Sequence, residues 1–275
     1  MGTSVGLLHP GAMGAAVGGL LADRFRVSWV SAGRGPASRR RAEEAGLTEV
    51  ADLAALARCD VLVSVCPPSA ALDVAGSVAA TGFAGTYLDA NAISPRHAEE
   101  IAGILPRATV VDGGIVGPPP RTAGTTRLYL SGPAAAVADL FDGTVLRVVV
   151  LDGPVGRASA LKLAFASYNK LTYALAAQAH ALAERHGVGV ELRELAADVL
   201  PDTPFGAPGG ITSAGRRAWR WEGEMAEIAA ACAETGLAPD LVVAAQAVFA
   251  RWRDHRDDDS VDLAALLRTL AGPPS

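Results

Sequence analysis

The periodicity of apolar residues divides this chain into two unlike halves. In the first half, short apolar runs bounded by Gly, Pro or Asp predict β-strands at Ser4–Leu8, Val27–Val30, Val61–Val65, Thr86–Asp89, Thr109–Asp112, Leu128–Ser131 and Arg147–Leu151. Helical spacing between them predicts helices over Met13–Asp23, Pro36–Ala45, Leu53–Ala57, Ala70–Ala80 and Pro95–Leu105. Strands that alternate with helices predict a mostly parallel sheet covered on both faces. From about Gly153 the strand signal stops. Arg157 to Arg185 is rich in Ala and Leu, has no internal Gly or Pro, and predicts one long helix. More helices are expected at Val190–Val199, Arg216–Thr235, Pro239–Asp254 and Val261–Ala271. The pattern therefore predicts an α/β domain over residues 1–152 and an all-α domain over residues 153–275, with the long helix running between them.

Composition narrows the possibilities. With 275 residues, half of them hydrophobic, the chain has enough apolar material for two medium cores. A formal net charge of −5 argues against nucleic acid or an anionic membrane surface as a general partner. The three cysteines, Cys59, Cys66 and Cys232, form no C-x-x-C pair, so neither a disulfide framework nor a metal site is expected. No apolar run is long enough to span a membrane, and the N-terminus lacks the basic segment of a signal peptide. A cytoplasmic protein acting on a small molecule is the expectation.

The first predicted strand runs into His9-Pro10-Gly11-Ala12-Met13-Gly14 and then into a helix. A tight glycine turn between strand and helix N-terminus gathers unpaired N–H groups and the positive end of the helix dipole, which suits a pyrophosphate. Gly11 allows close backbone approach and Gly14 allows the helix to pack on the strand; His9 stands where the first glycine of G-x-G-x-x-G is expected. The stretch after the second strand carries no acid until Glu43 and offers Ser31 and Arg34, with Ser38 or Arg39 nearby. Sites for NAD(H) usually place Asp or Glu there for the ribose 2′-OH, whereas Arg and Ser suit a 2′-phosphate. NADP(H) is therefore the expected cofactor.

With these residues in view, the chain resembles the β-hydroxyacid dehydrogenases, a superfamily that includes 6-phosphogluconate dehydrogenases and imine reductases. Gly6-Leu-Leu-His-Pro-Gly11-Ala-Met13-Gly14 is similar to its opening. Val65-Cys66-Pro67-Pro68 resembles its cofactor-side loop, and Leu88-Asp-Ala-Asn91-Ala-Ile-Ser94-Pro95 its stretch beside the nicotinamide ribose. Val111-Asp112-Gly113-Gly114-Ile-Val116-Gly117 occupies the place of the substrate-carboxylate loop. Gly156-Arg-Ala-Ser-Ala-Leu-Lys162 resembles the start of the long interdomain helix, whose Lys is the family's acid/base. Leu8-His9-Pro10-Gly11 with Gly113-Gly114 and Trp219-Arg-Trp221 is similar to a subgroup of uncertain substrate. The resemblance implies a Rossmann-type domain, a helical substrate and dimerisation domain, a cleft between them, and a homodimer. It also implies hydride transfer between the cofactor and a carbonyl or alcohol carbon, with Lys162 as general acid/base.

The departures are informative too. Val116 stands where the family has the Ser of its carboxylate loop, and Phe165 and Ala166 stand where it has Asn or His-Asn after the Lys. These replacements suit a more apolar carbonyl or imine. Helical spacing places Phe165, Ala166, Asn169 and Tyr173 along the stripe of Lys162. Trp221, Glu224 and Met225 share another helical face, where Glu224 is a candidate partner of Lys162 or of a cationic substrate; an aromatic core cluster is the alternative. The expected site thus comprises Lys162 as the catalytic residue. The cofactor residues are His9, Pro10, Gly11, Ala12, Met13, Ser31, Arg34, Cys66, Pro67 and Asn91, and the pocket residues are Gly114, Val116, Phe165, Ala166, Asn169, Trp221 and Glu224. Two rival functions stand beside this one: an imine reductase-like enzyme with another proton donor, and a non-catalytic NADP(H)-binding protein.

Overall fold

The computed structural model describes residues 2–256 and 258–270. By their contacts these divide into two compact units, Met1–Leu163 and Ala164–Ser275.

The first unit is built on an eight-stranded sheet: β1 (Ser4–Leu7), β2 (Arg26–Val30), β3 (Thr48–Val50), β4 (Val61–Ser64), β5 (Thr86–Asp89), β6 (Thr109–Val116), β7 (Arg127–Ser131) and β8 (Arg147–Val150). The spatial order is β3-β2-β1-β4-β5-β6-β7-β8, and every neighbouring pair is parallel except β6–β7. The order reverses between β1 and β4, which is the switch point at which open α/β sheets place their ligands. The crossover helices are α1 (Ala12–Ala22), α2 (Pro36–Glu44), α3 (Leu53–Leu56), α4 (Ala71–Ala80) and α5 (Pro95–Ile104), and a short α6 (Ala135–Ala138) follows β7. Because the sheet is covered on both faces, the described residues of the first unit form a core on each side of it. One contains Leu7, Val17, Leu21, Trp29, Val111 and Leu128; the other contains Leu8, Leu56, Leu62, Tyr87, Ile93 and Ile101. Successive β-residues point to opposite faces, so strands such as β4, buried throughout, are apolar without alternation.

Three differences from the sequence reading have local causes. β3 has only three residues, none of them fully buried, so it leaves no periodic signal. The four-residue α6 is too short to show a period. β6 continues past Asp112 to Val116 because Gly113 to Val116 pair with Leu130 to Arg127 of the antiparallel β7. Gly114 and Val116, expected in a loop, are therefore strand residues; the two glycines, read as a break, are held extended by the ladder.

Helix α7 (Arg157–Arg185) begins in the first unit and continues into the second, which adds α8 (Gly189–Val199), α9 (Gly209–Glu234), α10 (Asp240–Ala250) and α11 (Leu263–Leu270). α9 starts seven residues before the expected Arg216. Its Gly209 and Gly210 lie in the first turn, and buried Ile211 and Ala214 extend the packed face forward. α10 ends at Ala250, and a 3₁₀ turn over Arg253–His255 replaces the rest of the expected helix. Fully buried Trp252 donates its indole N–H to the carbonyl of Leu266 (3.2 Å), fastening this turn to α11. Among the described residues, no helix is long and apolar enough to cross a membrane.

Candidate active site

The glycine turn sits at the C-terminal end of β1, beside the switch point. Gly14 is obligatory for a steric reason: a Cβ there would lie 2.1 Å from the His9 carbonyl oxygen. At Gly11, the N-cap of α1, a Cβ would meet nothing within 4 Å, and no side chain caps the helix. The 11-residue α1 therefore presents a helix N-terminus to open space, a fit for a dinucleotide pyrophosphate. Two buried polar atoms beside the turn have no hydrogen-bond partner, Nδ1 of His9 and Nε of Arg34. Burial, followed by the Arg34 charge, pushes the His9 imidazole down to about 4, so it is neutral at physiological pH.

Arginines also shape this turn. Arg34 donates from a terminal guanidinium nitrogen to the Leu8 carbonyl (3.2 Å), and Arg41, which the sequence reading left out, donates from Nε to the Pro10 carbonyl (3.1 Å). Arg39 donates to the Ser31 carbonyl (3.4 Å). The Ser31 hydroxyl donates to the carboxylate of Glu49 on β3, an acid that primary structure hid because its strand is so short.

The ends of β4 and β5 are joined by a buried polar network. Asn91 accepts from the Cys66 backbone N–H (2.6 Å) and donates from Nδ2 to Ser64 Oγ (3.1 Å) and to Asp89 Oδ2 (2.7 Å). The predicted residues Cys66 and Asn91 are thus brought together, and Asn91 holds the loop containing Pro67. Burial pushes the Cys66 thiol up to about 11, against the pull of the Ser64 hydroxyl. Asp89, fully buried, is pushed up to about 7. Burial dominates and neighbouring Asp112 adds to it, while hydrogen bonds from Asn91 and the Lys162 charge oppose it.

Lys162 lies in the second turn of α7, half-buried, and its position is fixed from β6. A Cβ on Gly114 would lie 3.1 Å from Lys162 Cβ and 2.7 Å from the Ala158 carbonyl, so the helix can approach the strand this closely only over glycine. The start of α7 is anchored by Asp112. Its carboxylate accepts from the backbone N–H groups of Gly156 and Ser159 (3.0 Å each), from Ser159 Oγ (2.6 Å) and from Ser131 Oγ (2.9 Å). Negative charge at a helix N-terminus with several N–H donors is a strong cap. It also fixes where Lys162 stands.

The remaining pocket candidates separate. Along α7, Phe165 is exposed, Ala166 buried and Asn169 part-buried. In the second unit, Glu224 is ion-paired with Lys170 (2.9 Å), both largely buried. The sequence reading named Lys162 or a cationic substrate as the partner of Glu224 and left Lys170 out; Lys170 faces it because it lies on the α7 face turned toward α9. Lys170 also lies over the Trp221 ring (5.2 Å), and Trp221 packs on Tyr173 and edge-on to Phe249. Trp221 thus belongs to an aromatic cluster, and Met225, one turn further along α9, is fully buried. A groove of about 700 Å³ in this unit, lined in part by Leu182, Arg185, Arg193 and Leu267, contains none of the predicted residues.

Residues 183–252 match a family model described as a domain of unknown function (DUF1932). A solved protein described as a conserved protein of unknown function, structurally similar to 3-hydroxyacid dehydrogenases, is 25% identical, with TM-score 0.72, covering 92% of this chain and 97% of its own. The 3-hydroxyisobutyrate dehydrogenase of Mycobacterium tuberculosis, solved with L-serine, superposes with TM-score 0.75 at 19% identity, over 99% and 100% of the two chains. This chain has the 3-hydroxyacid dehydrogenase fold. A reductive aminase of Aspergillus terreus, solved with NADPH4, cyclohexanone and allyl amine, shares that fold at TM-score 0.60 and 20% identity, over 98% and 100%. The hydroxyacid dehydrogenase resemblance read from the sequence is therefore borne out along nearly the whole chain.

Proposed function

We propose that the protein is an NADP(H)-dependent oxidoreductase that moves hydride to or from a carbonyl or alcohol carbon of a small molecule, with Lys162 as general acid/base. The observation that carries this reading is the placement of Lys162 over Gly114, in the same unit as the glycine turn and close enough to Asp89 for their charges to interact. The bound nicotinamide supplies the hydride. The chain's residues do the rest. The backbone of Gly11, Ala12 and Met13 holds the pyrophosphate at the start of α1, with His9 and Pro10 lining the turn. Ser31 and Arg34 face the 2′-phosphate, and Cys66, Pro67 and Asn91 form the wall tied to Asp89. Lys162 Nζ gives a proton to the forming alkoxide in reduction and takes it back in oxidation. Gly114, Val116, Phe165, Ala166 and Asn169 are proposed to touch substrate; with Val116 and Phe165 in place of polar residues, that substrate is more apolar than a small hydroxyacid. Trp221 and Glu224, the latter held by Lys170, are proposed as further pocket residues.

Reduction of an imine is the second reading. It is favoured by the same apolar positions and by the likeness to the reductive aminase, and it leaves Lys162 a structural role. A homodimer is supported by α7, where Leu161, Tyr168, Leu175 and Leu182 repeat every seven residues and are exposed by 39, 74, 65 and 60%. NADPH oxidation should be measured across β-keto acids, aldehydes, ketones and cyclic imines. Turnover of a carbonyl substrate supports the first reading and turnover of imines alone replaces it with the second. Tight NADPH binding without turnover of any class would make the protein a binding module.

A further inference from the structure

The stretch that directly follows β2 carries no acid until Glu43, yet the folded site has one beside Ser31. Glu49, exposed on the short edge strand β3, accepts the hydroxyl hydrogen of Ser31, the residue that immediately follows β2. That end of β2 is where a Rossmann-type site receives the 2′ position of the adenosine ribose. An acid there ordinarily comes from β2 itself; here the register Trp29↔Glu49 brings one from the neighbouring strand. Beside Ser31 stand two cations: Arg39 donates to the Ser31 carbonyl, and Arg34, whose backbone N–H also bonds that carbonyl, donates to the Leu8 carbonyl and has a buried Nε without a partner.

The two 2′ groups make opposite demands on this arrangement. A ribose hydroxyl can donate to Glu49, which when ionised only accepts. A 2′-phosphate is itself an acceptor with close to two negative charges, so it is repelled by Glu49 and attracted by Arg34 and Arg39. Ser31 has a single hydroxyl hydrogen, and while Glu49 holds it, none is left for a phosphate oxygen.

We propose that Glu49 is a specificity-determining residue of the cofactor site: it holds back NADP(H) against the pull of the arginines and keeps NAD(H) acceptable. The inference rests on the nicotinamide-cofactor reading above. It makes the chain dual in cofactor use, with a preference smaller than the arginine-rich loop alone would give.

Equilibrium titration of the full chain with NADPH and with NADH, followed by quenching of protein fluorescence, tests it without reference to turnover. Glu49→Gln should tighten NADPH by about tenfold, as removal of one charge near a phosphate at a partly exposed site implies. NADH should change by less than about twofold or weaken. The NADPH gain should shrink as salt is raised, since exposed charges are screened. Loss of a merely structural Ser31–Glu49 link would move both cofactors alike and independently of salt. Arg34→Ala should weaken NADPH selectively, and far-UV circular dichroism verifies that each variant is folded. An unchanged NADPH/NADH affinity ratio in Glu49→Gln overturns the role of Glu49. Tighter binding of NADH than NADPH by the wild type overturns the NADP(H) preference but not Glu49, provided the substitution still shifts the ratio toward NADPH. A folded wild type that binds neither overturns both.

Discussion

Asp89 and His9 show how strongly single residues are set by burial. Both are pushed toward neutrality, but with opposite consequences for pH. The folded protein keeps a proton on Asp89 up to about pH 7, whereas the unfolded chain releases it in the ordinary carboxylate range. Its contribution to stability is therefore complete at acid pH and lost as pH rises through 7. His9, held down to about 4, contributes in the opposite sense: fully above its ordinary value of 6.5, and lost as pH falls toward 4. The two trends oppose each other over the same window. Asp89→Asn removes one of them while keeping the shape. The stability of the wild type relative to this variant, from urea unfolding, should decline between about pH 4 and about pH 7 and level off above. A constant difference would show that Asp89 titrates normally. Gly114 gives a second prediction at this scale. Gly114→Ala puts a methyl group against Lys162 Cβ and the Ala158 carbonyl, and should cost about 1–3 kcal/mol of stability by overpacking and reduce turnover with it.

At the scale of elements, the start of α7 is the most consequential piece of local structure. Asp112 accepts four hydrogen bonds there, two of them from backbone N–H groups, of Ser159 in the first turn and of Gly156 just before it. Asp112→Ala leaves buried donors unsatisfied and should lower the unfolding free energy by about 3 kcal/mol or more, while Ser159→Ala should cost about 1 kcal/mol. Amide exchange in the first turn of α7 should accelerate in both. An unaffected first turn would mean that the cap is held by other contacts. This element also marks the limit of what primary structure disclosed. The bounds of α7 were legible because twenty-nine residues of helical spacing average out local exceptions. The place of Lys162 in the second turn of α7 was legible with them. The cap was not, because Asp112 lies 44 residues from Gly156 in sequence and meets it only in the folded chain. Lys170 and Glu224 were missed as a pair for the same reason, and Glu49 because β3 is too short to be periodic. Local repeats survive in a sequence; contacts across strands and between helices do not.

For the whole molecule, a mostly parallel sheet and the succession of α/β and all-α units followed from periodicity, whereas the strand order did not, and the fold agrees with that of 3-hydroxyacid dehydrogenases. The exposed seven-residue apolar repeat on α7 is the surface proposed to meet a second copy of the chain. Sedimentation velocity should show a dimer, and Tyr168→Arg combined with Leu175→Arg should shift it to monomer while far-UV circular dichroism is preserved; a wild-type monomer at high concentration would remove this assignment. The central claim concerns chemistry, and Lys162 decides it. With the best carbonyl substrate, Lys162→Ala should lower kcat by about 10²–10⁴-fold, as loss of a general acid/base does, while the Kd for NADPH stays within about twofold. Undiminished turnover in that variant would contradict the account.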